Sequence, residues 1–150
     1  MPTIGQPAPD FTLASTSGQN VTLASFRGAQ NVLVAFFPLA FTGVCTAELC
    51  AFSEDYARFQ PADTVVLPIS CDAVPSLKAF KRQEGMKVDL LSDIHRRASR
   101  AYDVLIEEKN HSQRAYFLVD KQGVLRWSHV ESELGQRRDD AELLAEIAKL

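Results

Sequence analysis

The segment from Val32 to Cys45 limits the possible folds more than any other part of this 150-residue chain. Val32–Phe36 reads Val-Leu-Val-Ala-Phe, an apolar run rich in β-formers, which is typical of a strand buried on both faces. Pro38 follows the run, and Cys45 stands at the start of a segment with helical periodicity. We therefore predict a strand, a short loop and a helix, with Cys45 in the first helical turn. Free backbone N–H groups and the positive end of the helix dipole stabilise an anion there, and for a thiol that anion is the reactive thiolate.

Strand and helix patterns alternate through the rest of the chain. In order, we predict a hairpin with arms 10–13 and 20–23, the strand Val32–Phe36, a helix after Cys45, a strand over 64–70, a helix from Val74-Pro75 to a stop at Gly85, a shorter helix near Asp93, a hairpin with arms 115–119 and 124–130, and a last helix from about Arg138. Two strand–helix units followed by an antiparallel pair predict an α/β fold. Its mixed central β-sheet is flanked by helices on both faces, with a β-hairpin at the N-terminus. No internal linker is long enough to divide the chain, so we expect one domain over residues 1–150.

The helical segments predict which residues face the core. Leu49, Phe52, Tyr56 and Phe59 follow one another at spacings of three and four, which indicates a single apolar stripe behind Cys45. The last helix is expected to bury Ala141, Leu144, Ala145 and Ala148.

Composition and charge exclude several classes of function. Apolar residues make up 46% and charged residues 23%, which is ordinary for a soluble protein, and the net charge of −3 gives no reason to expect binding to nucleic acid or to a membrane. Neither a secretory signal nor a membrane span is evident, so we expect the cytoplasm. The three cysteines are an odd number and cannot form a complete internal disulfide framework. Dinucleotide, phosphate-loop and zinc motifs are absent, and His95, His111 and His129 are scattered and expected at the surface, so no cofactor or metal is predicted.

A thiolate at Cys45 needs a cation that the local sequence does not supply. We expect Arg114, at the start of the strand over 115–119, because functional groups gather at the carboxyl edge of parallel strands. Glu48, one turn after Cys45, could orient this arginine through a bidentate contact. Thr42 is expected to cap the helix with its hydroxyl and to offer that hydroxyl to a substrate oxygen, and Pro38 to shield the thiolate from water.

The segment that carries these residues resembles the peroxiredoxin signature Pro-x-x-x-Thr-x-x-Cys, here Pro38, Thr42 and Cys45. The resemblance extends over nearly the whole chain, from Gly5–Phe11 through Arg114–Asp120, and it implies a thioredoxin-like fold. The segment over 36–45 looks most like the alkyl hydroperoxide reductase E group. A second cysteine five positions on resembles instead the bacterioferritin comigratory protein, or peroxiredoxin Q, group.

The resemblance implies a thiol-dependent peroxidase for hydrogen peroxide and organic hydroperoxides. Cys45 would be the peroxidatic cysteine, Thr42 and Arg114 would activate the peroxide, and Pro38 would shield the pocket. The thiolate attacks one peroxide oxygen, water or an alcohol leaves, and a sulfenic acid remains. Thioredoxin, glutaredoxin or a low-molecular-weight thiol is the implied reductant. Resemblance to the alkyl hydroperoxide reductase E group implies a homodimer, whereas resemblance to the peroxiredoxin Q group implies a monomer.

Cys50 is the first candidate for resolving the sulfenic acid, but an intact helix keeps it out of reach. Cα atoms five positions apart in an α-helix are separated by roughly 8.6 Å, whereas a disulfide needs roughly 4.4–6.8 Å. Resolution by Cys50 therefore requires local unwinding. The alternatives are a structural Cys50, a resolving or structural Cys71, and a single-cysteine cycle recycled by an external thiol. A peroxide-sensing relay also remains open, whereas a thioredoxin-type exchanger is disfavoured because there is no Cys-x-x-Cys.

Overall fold

The strand predicted before Pro38 is an interior strand of the main sheet in the computed structural model, which describes residues 1–150. The strands are β1 (Thr12–Ser15), β2 (Asn20–Thr22), β3 (Asn31–Phe36), β4 (Thr64–Ser70), β5 (Leu91–Ser92), β6 (Leu105–Ile106), β7 (His111–Ser112), β8 (Ala115–Val119) and β9 (Leu125–Val130). The helices are α1 (Gly43–Glu54), α2 (Tyr56–Phe59), α3 (Val74–Glu84), α4 (Arg97–Ala101) and α5 (Asp140–Ile147).

Seven of the strands form one mixed sheet in the order β2-β1-β5-β4-β3-β8-β9. The strands β3, β4 and β5 run parallel, and the remaining pairs in the sheet are antiparallel. β6 and β7 form a separate two-stranded ladder. The mixed sheet and both hairpins confirm the prediction, whereas the two-residue strands β5, β6 and β7 were too short to show a period in the sequence.

Both faces of the sheet are covered, because successive side chains of β3 point to opposite sides. Val32, Val34 and Phe36 belong to one buried cluster, which Tyr102 and Ala98 close from the α4 side. Leu33 and Ala35 belong to a second cluster, formed with side chains of α1, α3 and α5. Every residue of β3 is buried, as the uninterrupted apolar run predicted.

The apolar stripe behind Cys45 is only partly continuous. Leu49, Phe52 and Phe59 are buried, but Tyr56 is 39% exposed. The reason is that α1 ends at Glu54 and a new helical turn begins at Tyr56, so the helical phase shifts between Phe52 and Tyr56.

The buried face of α5 differs from the predicted one. Leu143 and Ile147 are buried, Leu144 is half-buried, and the three alanines of the predicted face are exposed, namely Ala141, Ala145 and Ala148. Two large side chains four residues apart remove more apolar area from water than a face made mostly of alanine, and this difference decides how the helix is rotated.

A pair of carboxyl groups joins the end of α1 to the start of α5. Asp140 is buried, no N–H group donates to either of its carboxylate oxygens, and it faces the carboxyl group of Asp55, with which it can share a proton. Burial, followed by the hydrogen bond and the charge of Asp55, raises the pKa of Asp140 to about 7, against a weaker opposing effect of Arg137. Below that pH the pair can share a proton.

The loop between β3 and α1 is fixed to the neighbouring strand. The carboxylate of Asp72, just after β4, accepts the backbone N–H of Ala40 at 2.9 Å and the hydroxyl of Ser70 at 2.8 Å. Phe41 adopts a left-handed backbone conformation with φ of 66°, and its ring packs against Phe80 of α3 with centroids 4.9 Å apart. These contacts determine where α1 begins, and therefore where Cys45 lies.

Candidate active site

Cys45 is the third residue of α1 and is 1% exposed. Its side chain lies in line with Leu49 at the edge of the core, as the helical spacing predicted. A cavity of about 240 Å³ opens over it, large enough for a small hydroperoxide. The cavity is lined by Pro38, Leu39, Thr42, Gly43, Val44, Cys45, His111, Arg114 and Leu134.

Arg114 reaches the thiol because of the register between two strands. Phe36, the last residue of β3, pairs with Ala115, the first residue of β8, so Arg114 lies beside the end of β3 where the loop to α1 begins. The guanidinium is 1% exposed, and its Nη2 atom donates to the Sγ atom of Cys45 at 3.1 Å. A positive charge at this distance from a buried sulfur stabilises a thiolate.

Glu48 holds the other side of the guanidinium. Its Oε1 atom accepts a hydrogen bond from Nη1 of Arg114 at 2.9 Å, and both side chains are almost fully buried. The predicted bidentate contact is wrong in detail, because Oε2 of Glu48 accepts instead the hydroxyl of Tyr116. Arg114 therefore directs one N–H group to the carboxylate and another to the sulfur.

The charges in this cluster oppose the effect of burial. Burial raises the pKa of Glu48 above its ordinary value, and the opposing effects of Arg114, Tyr116 and Arg137 offset only part of that increase. Burial alone would lower the pKa of Arg114, but the charges of Glu48 and Cys45 raise it overall, so the guanidinium stays protonated. An arginine that remains charged in a buried site can stabilise negative charge throughout a reaction.

Two contributors to the site were missed by the sequence analysis. The main-chain carbonyl of Leu134 accepts a second hydrogen bond from Nη2 of Arg114 at 3.2 Å. The hydroxyl of Tyr116 accepts the backbone N–H of Arg138 at 3.0 Å while it donates to Glu48. Of the two, only Tyr116 could have been found from the sequence, since it lies two residues after Arg114 and therefore points to the same face of the sheet.

Thr42 occupies the N-cap position of α1, but its side chain does not cap the helix. The hydroxyl donates instead to the carbonyl of Leu39 at 2.8 Å. The predicted cap is thus wrong. Because the hydroxyl proton of Thr42 is already donated to Leu39, the oxygen is available to the cavity only as a hydrogen-bond acceptor.

The remaining residues near the cavity agree only partly with expectation. Pro38 is buried and forms part of the cavity wall. His111 was expected at the surface but is 8% exposed and also lines the cavity, with Nδ1 3.0 Å from the carbonyl oxygen of Ser112. Its burial follows from the short β6–β7 ladder, which the sequence did not indicate.

The two other cysteines are half-buried free thiols. Cys50 lies in α1 with Cys45, and its Sγ atom is 3.9 Å from Oε2 of Glu84. Burial, followed by the charges of Glu84 and Glu54, raises the pKa of Cys50. Cys71 lies 3.7 Å from the hydroxyl of Ser99, and burial raises its pKa as well.

No cluster of three or more His, Cys, Asp or Glu side chains has the arrangement of a metal site. None of the helices has both the length and the apolar character needed to cross a lipid bilayer.

Comparison with known proteins relates the chain to peroxide-reducing enzymes. Residues 4–128 match the model of the AhpC/TSA family. The chain is 41% identical over 138 residues to alkyl hydroperoxide reductase E of Mycobacterium tuberculosis, covering 91% of this chain and 90% of that protein. It is 34% identical over 160 residues to the chloroplastic 2-Cys peroxiredoxin BAS1 of Hordeum vulgare, covering 100% of this chain and 76% of the relative.

Solved structures give the same result for the fold. Reduced 2-Cys peroxiredoxin of Plasmodium vivax superposes with a TM-score of 0.89 at 30% identity, covering 97% of this chain and 94% of that one. AhpC of Enterococcus faecalis gives a TM-score of 0.91 at 26% identity, covering 99% and 92%. The thioredoxin-like fold is therefore confirmed.

The fold and these relatives define a class of protein, the thiol-dependent peroxidases, which reduce hydroperoxides with electrons from a thiol reductant. Within that class, the chain belongs to the AhpC/TSA family and is a peroxiredoxin.

Proposed function

We propose that Cys45 is the peroxidatic cysteine of this peroxidase. The observation that carries the assignment is the contact of 3.1 Å between Nη2 of Arg114 and Sγ of Cys45 at the base of a cavity. The thiolate attacks the terminal oxygen of the hydroperoxide, an S–O bond forms as the O–O bond breaks, and the leaving oxygen departs as alkoxide or hydroxide and takes up a proton. The product at Cys45 is a sulfenic acid.

The residues around Cys45 divide the work of peroxide activation. Arg114 stabilises the charge that develops on both oxygens, and Glu48 keeps the guanidinium in place. The hydroxyl oxygen of Thr42 accepts the hydrogen bond of the peroxide O–H group, a role that suits its engagement with Leu39. Pro38 contributes no N–H group and helps to exclude water from the thiolate.

Cys50 is the resolving cysteine in this proposal. Its thiol attacks the sulfenic acid, a disulfide forms between Cys45 and Cys50, and the sulfenic oxygen leaves as water. Because both residues lie within the continuous helix α1, the first turns of that helix must unwind before the sulfur atoms can meet. An external thiol then reduces the disulfide. A single-cysteine cycle, in which that thiol attacks the sulfenic acid directly, is the competing scheme.

Three further elements belong to the same proposal. The 150 residues act as a single domain, since strands from both ends of the chain join one sheet. The compartment is the cytoplasm, where half-exposed thiols such as Cys50 and Cys71 persist in reduced form. Thioredoxin, glutaredoxin or a small thiol serves as the electron donor, and the protein works as a monomer or homodimer.

The test is peroxide consumption by three proteins in the presence of a thiol reductant. Wild type consumes many equivalents, and Cys45→Ser consumes none above the background. Cys50→Ser reacts once with peroxide at the wild-type rate but turns over slowly with thioredoxin. Turnover by Cys45→Ser would disprove the assignment of the peroxidatic cysteine, and unchanged turnover by Cys50→Ser would favour the single-cysteine cycle. Consumption that stops after one equivalent with every reductant would indicate a peroxide sensor.

A further inference from the structure

Tyr116 is fully buried within the cluster of side chains that includes Cys45, and its hydroxyl makes two hydrogen bonds of opposite sense. The oxygen accepts the backbone N–H of Arg138 at 3.0 Å, and the O–H group donates to Oε2 of Glu48. A donor that is itself hydrogen-bonded in this way is polarised, which strengthens the bond that it donates. The hydrogen bond from the Arg138 N–H group therefore strengthens the hydrogen bond that the Tyr116 hydroxyl donates to Glu48.

The second carboxylate oxygen of Glu48 depends on this hydroxyl. Arg114 donates a hydrogen bond to Oε1 only. The carboxyl group of Glu48 is completely shielded from solvent, so water cannot replace a missing donor. Burial favours the protonated acid, whereas Tyr116 and Arg114 favour the carboxylate. Of these two, only Tyr116 acts on Glu48 without also contacting the thiol.

We propose that Tyr116 is a positioning residue of the peroxidase reaction: its hydrogen bond to Oε2 favours the carboxylate form of Glu48 and thereby holds the Arg114 guanidinium against Cys45. This inference rests on the proposed role of Cys45 and Arg114, and it extends the cluster by a residue that never touches the peroxide. If Glu48 is protonated, it no longer anchors Nη1 of Arg114 electrostatically. The guanidinium is then free to turn away from the sulfur and from the peroxide oxygens.

The consequence is a change in pH dependence. The charged or titratable groups that act on Glu48 are Arg114 and Tyr116 from the β8 side and Arg137 from the segment before α5, and Asp140 at the start of α5 also lies within electrostatic range. Removing the Tyr116 hydroxyl removes one of the groups that lower the pKa of Glu48, so this pKa rises further. Glu48 then stays protonated up to a higher pH.

The experiment measures the second-order rate constant for oxidation of Cys45 by hydrogen peroxide between pH 5 and 9. The variant is Tyr116→Phe, which keeps the ring and removes only the hydroxyl. Loss of one hydrogen bond to a carboxylate moves the acid limb of this profile up by about one to two pH units. On the acid limb the rate falls roughly tenfold or more, while on the alkaline plateau it stays within about twofold of wild type.

Tyr102→Phe is the matched control. Tyr102 is also fully buried, and its hydroxyl donates to the carbonyl of Pro9 at 2.7 Å, but it belongs to the cluster on the other face of the sheet. Tyr102→Phe removes a buried hydroxyl with one hydrogen bond, whereas Tyr116→Phe removes a buried hydroxyl with two, yet the pH profile of Tyr102→Phe should coincide with that of wild type. Equal shifts in both variants would overturn the proposal, because they would reflect a general loss of stability.

A double-mutant cycle tests whether Tyr116 acts through Glu48. Glu48→Gln removes the contribution of the Glu48 carboxyl group to the acid limb. Adding Tyr116→Phe to Glu48→Gln should produce no further shift, and a full additional shift would refute the route through Glu48. If Tyr116→Phe does not fold, 3-fluorotyrosine at position 116 offers the opposite perturbation. This stronger donor should move the acid limb down, and an unmoved or raised limb would refute the proposal.

Failure of this inference is distinguishable from failure of the proposed function. If Cys45→Ser still reduces peroxide, the assignment of the peroxidatic cysteine is wrong. If peroxide reduction depends on Cys45 but Tyr116→Phe retains the wild-type profile, only the role of Tyr116 is wrong.

Discussion

Replacing Ala47 with glycine should accelerate disulfide formation between Cys45 and Cys50. Ala47 is an exposed residue of α1 that lies between the two cysteines. Glycine in a helix interior is less stable than alanine by about 0.8–1.0 kcal/mol, because it loses more backbone freedom when the helix forms. If the helix must unwind across residue 47 before the sulfurs meet, the unwound population increases by the corresponding factor of about four to five.

The assay follows two steps separately after one equivalent of hydrogen peroxide. Trapping with a sulfenic-acid reagent gives the rate of oxidation at Cys45, which Ala47→Gly should leave nearly unchanged. Rapid acid quenching, alkylation and mass spectrometry give the rate of disulfide formation, which should rise about four- to fivefold when unwinding is in rapid equilibrium before the chemical step.

Ala145→Gly provides the control for global destabilisation. Ala145 is also exposed in the interior of a helix, but it lies in α5, which carries neither cysteine. The two variants should lose similar free energy of unfolding in urea denaturation, yet only Ala47→Gly should form the disulfide faster. The same acceleration in both variants, or none in Ala47→Gly while the disulfide still forms, would refute local unwinding of α1 as the controlling step.

Three further changes test other parts of the structure. Arg114→Lys should slow peroxide reduction on the order of 100-fold, measured by stopped flow. One ammonium group cannot reproduce the two N–H groups that the guanidinium directs to Cys45 and to Glu48. Asp140→Asn should flatten the pH dependence of the free energy of unfolding, measured in urea. Because the pKa of Asp140 is raised to about 7, this group stabilises the wild type most at about pH 4 and below. The contribution is lost as the pH rises to 7, with a slope of at most about 1.4 kcal/mol per pH unit. Glu84→Gln, in a Cys45→Ser background, should speed alkylation of Cys50 at pH 8 about two- to fivefold, because the carboxylate contributes to the raised pKa of that thiol; an unchanged rate would contradict this role.

The sequence predicted the position of Cys45 because local patterns determine it. An apolar run long enough for a buried strand, a proline and a helical period leave few other arrangements. Arg114 could also be found, since it directly precedes a second buried strand that pairs with the first. The sequence could not show that the guanidinium of Arg114 donates to both Cys45 and Glu48. That arrangement depends on the Tyr116 hydroxyl, which occupies one carboxylate oxygen of Glu48.

Thr42 illustrates a second limit. Its N-cap position was predicted correctly, but a hydroxyl can donate as well as accept, and the carbonyl of Leu39 three residues earlier competes for its proton. The contributions of Leu134 and Arg138 were beyond prediction for another reason. Both act through main-chain atoms, which any residue type supplies, so no sequence pattern marks them.

The chain after β9 completes the cluster with two main-chain groups that lie beyond the residues matched by the family model. The family match ends at residue 128, whereas the carbonyl that receives Arg114 and the N–H group that supports Tyr116 come from residues 134 and 138. Helix α1 and the start of β8 thus supply the thiol and its cation, and the segment between β9 and α5 supplies the main-chain supports that adjust them. Exchanging the segment between β9 and α5 for the corresponding segment of another peroxiredoxin should therefore change peroxide reactivity without any change in the signature residues.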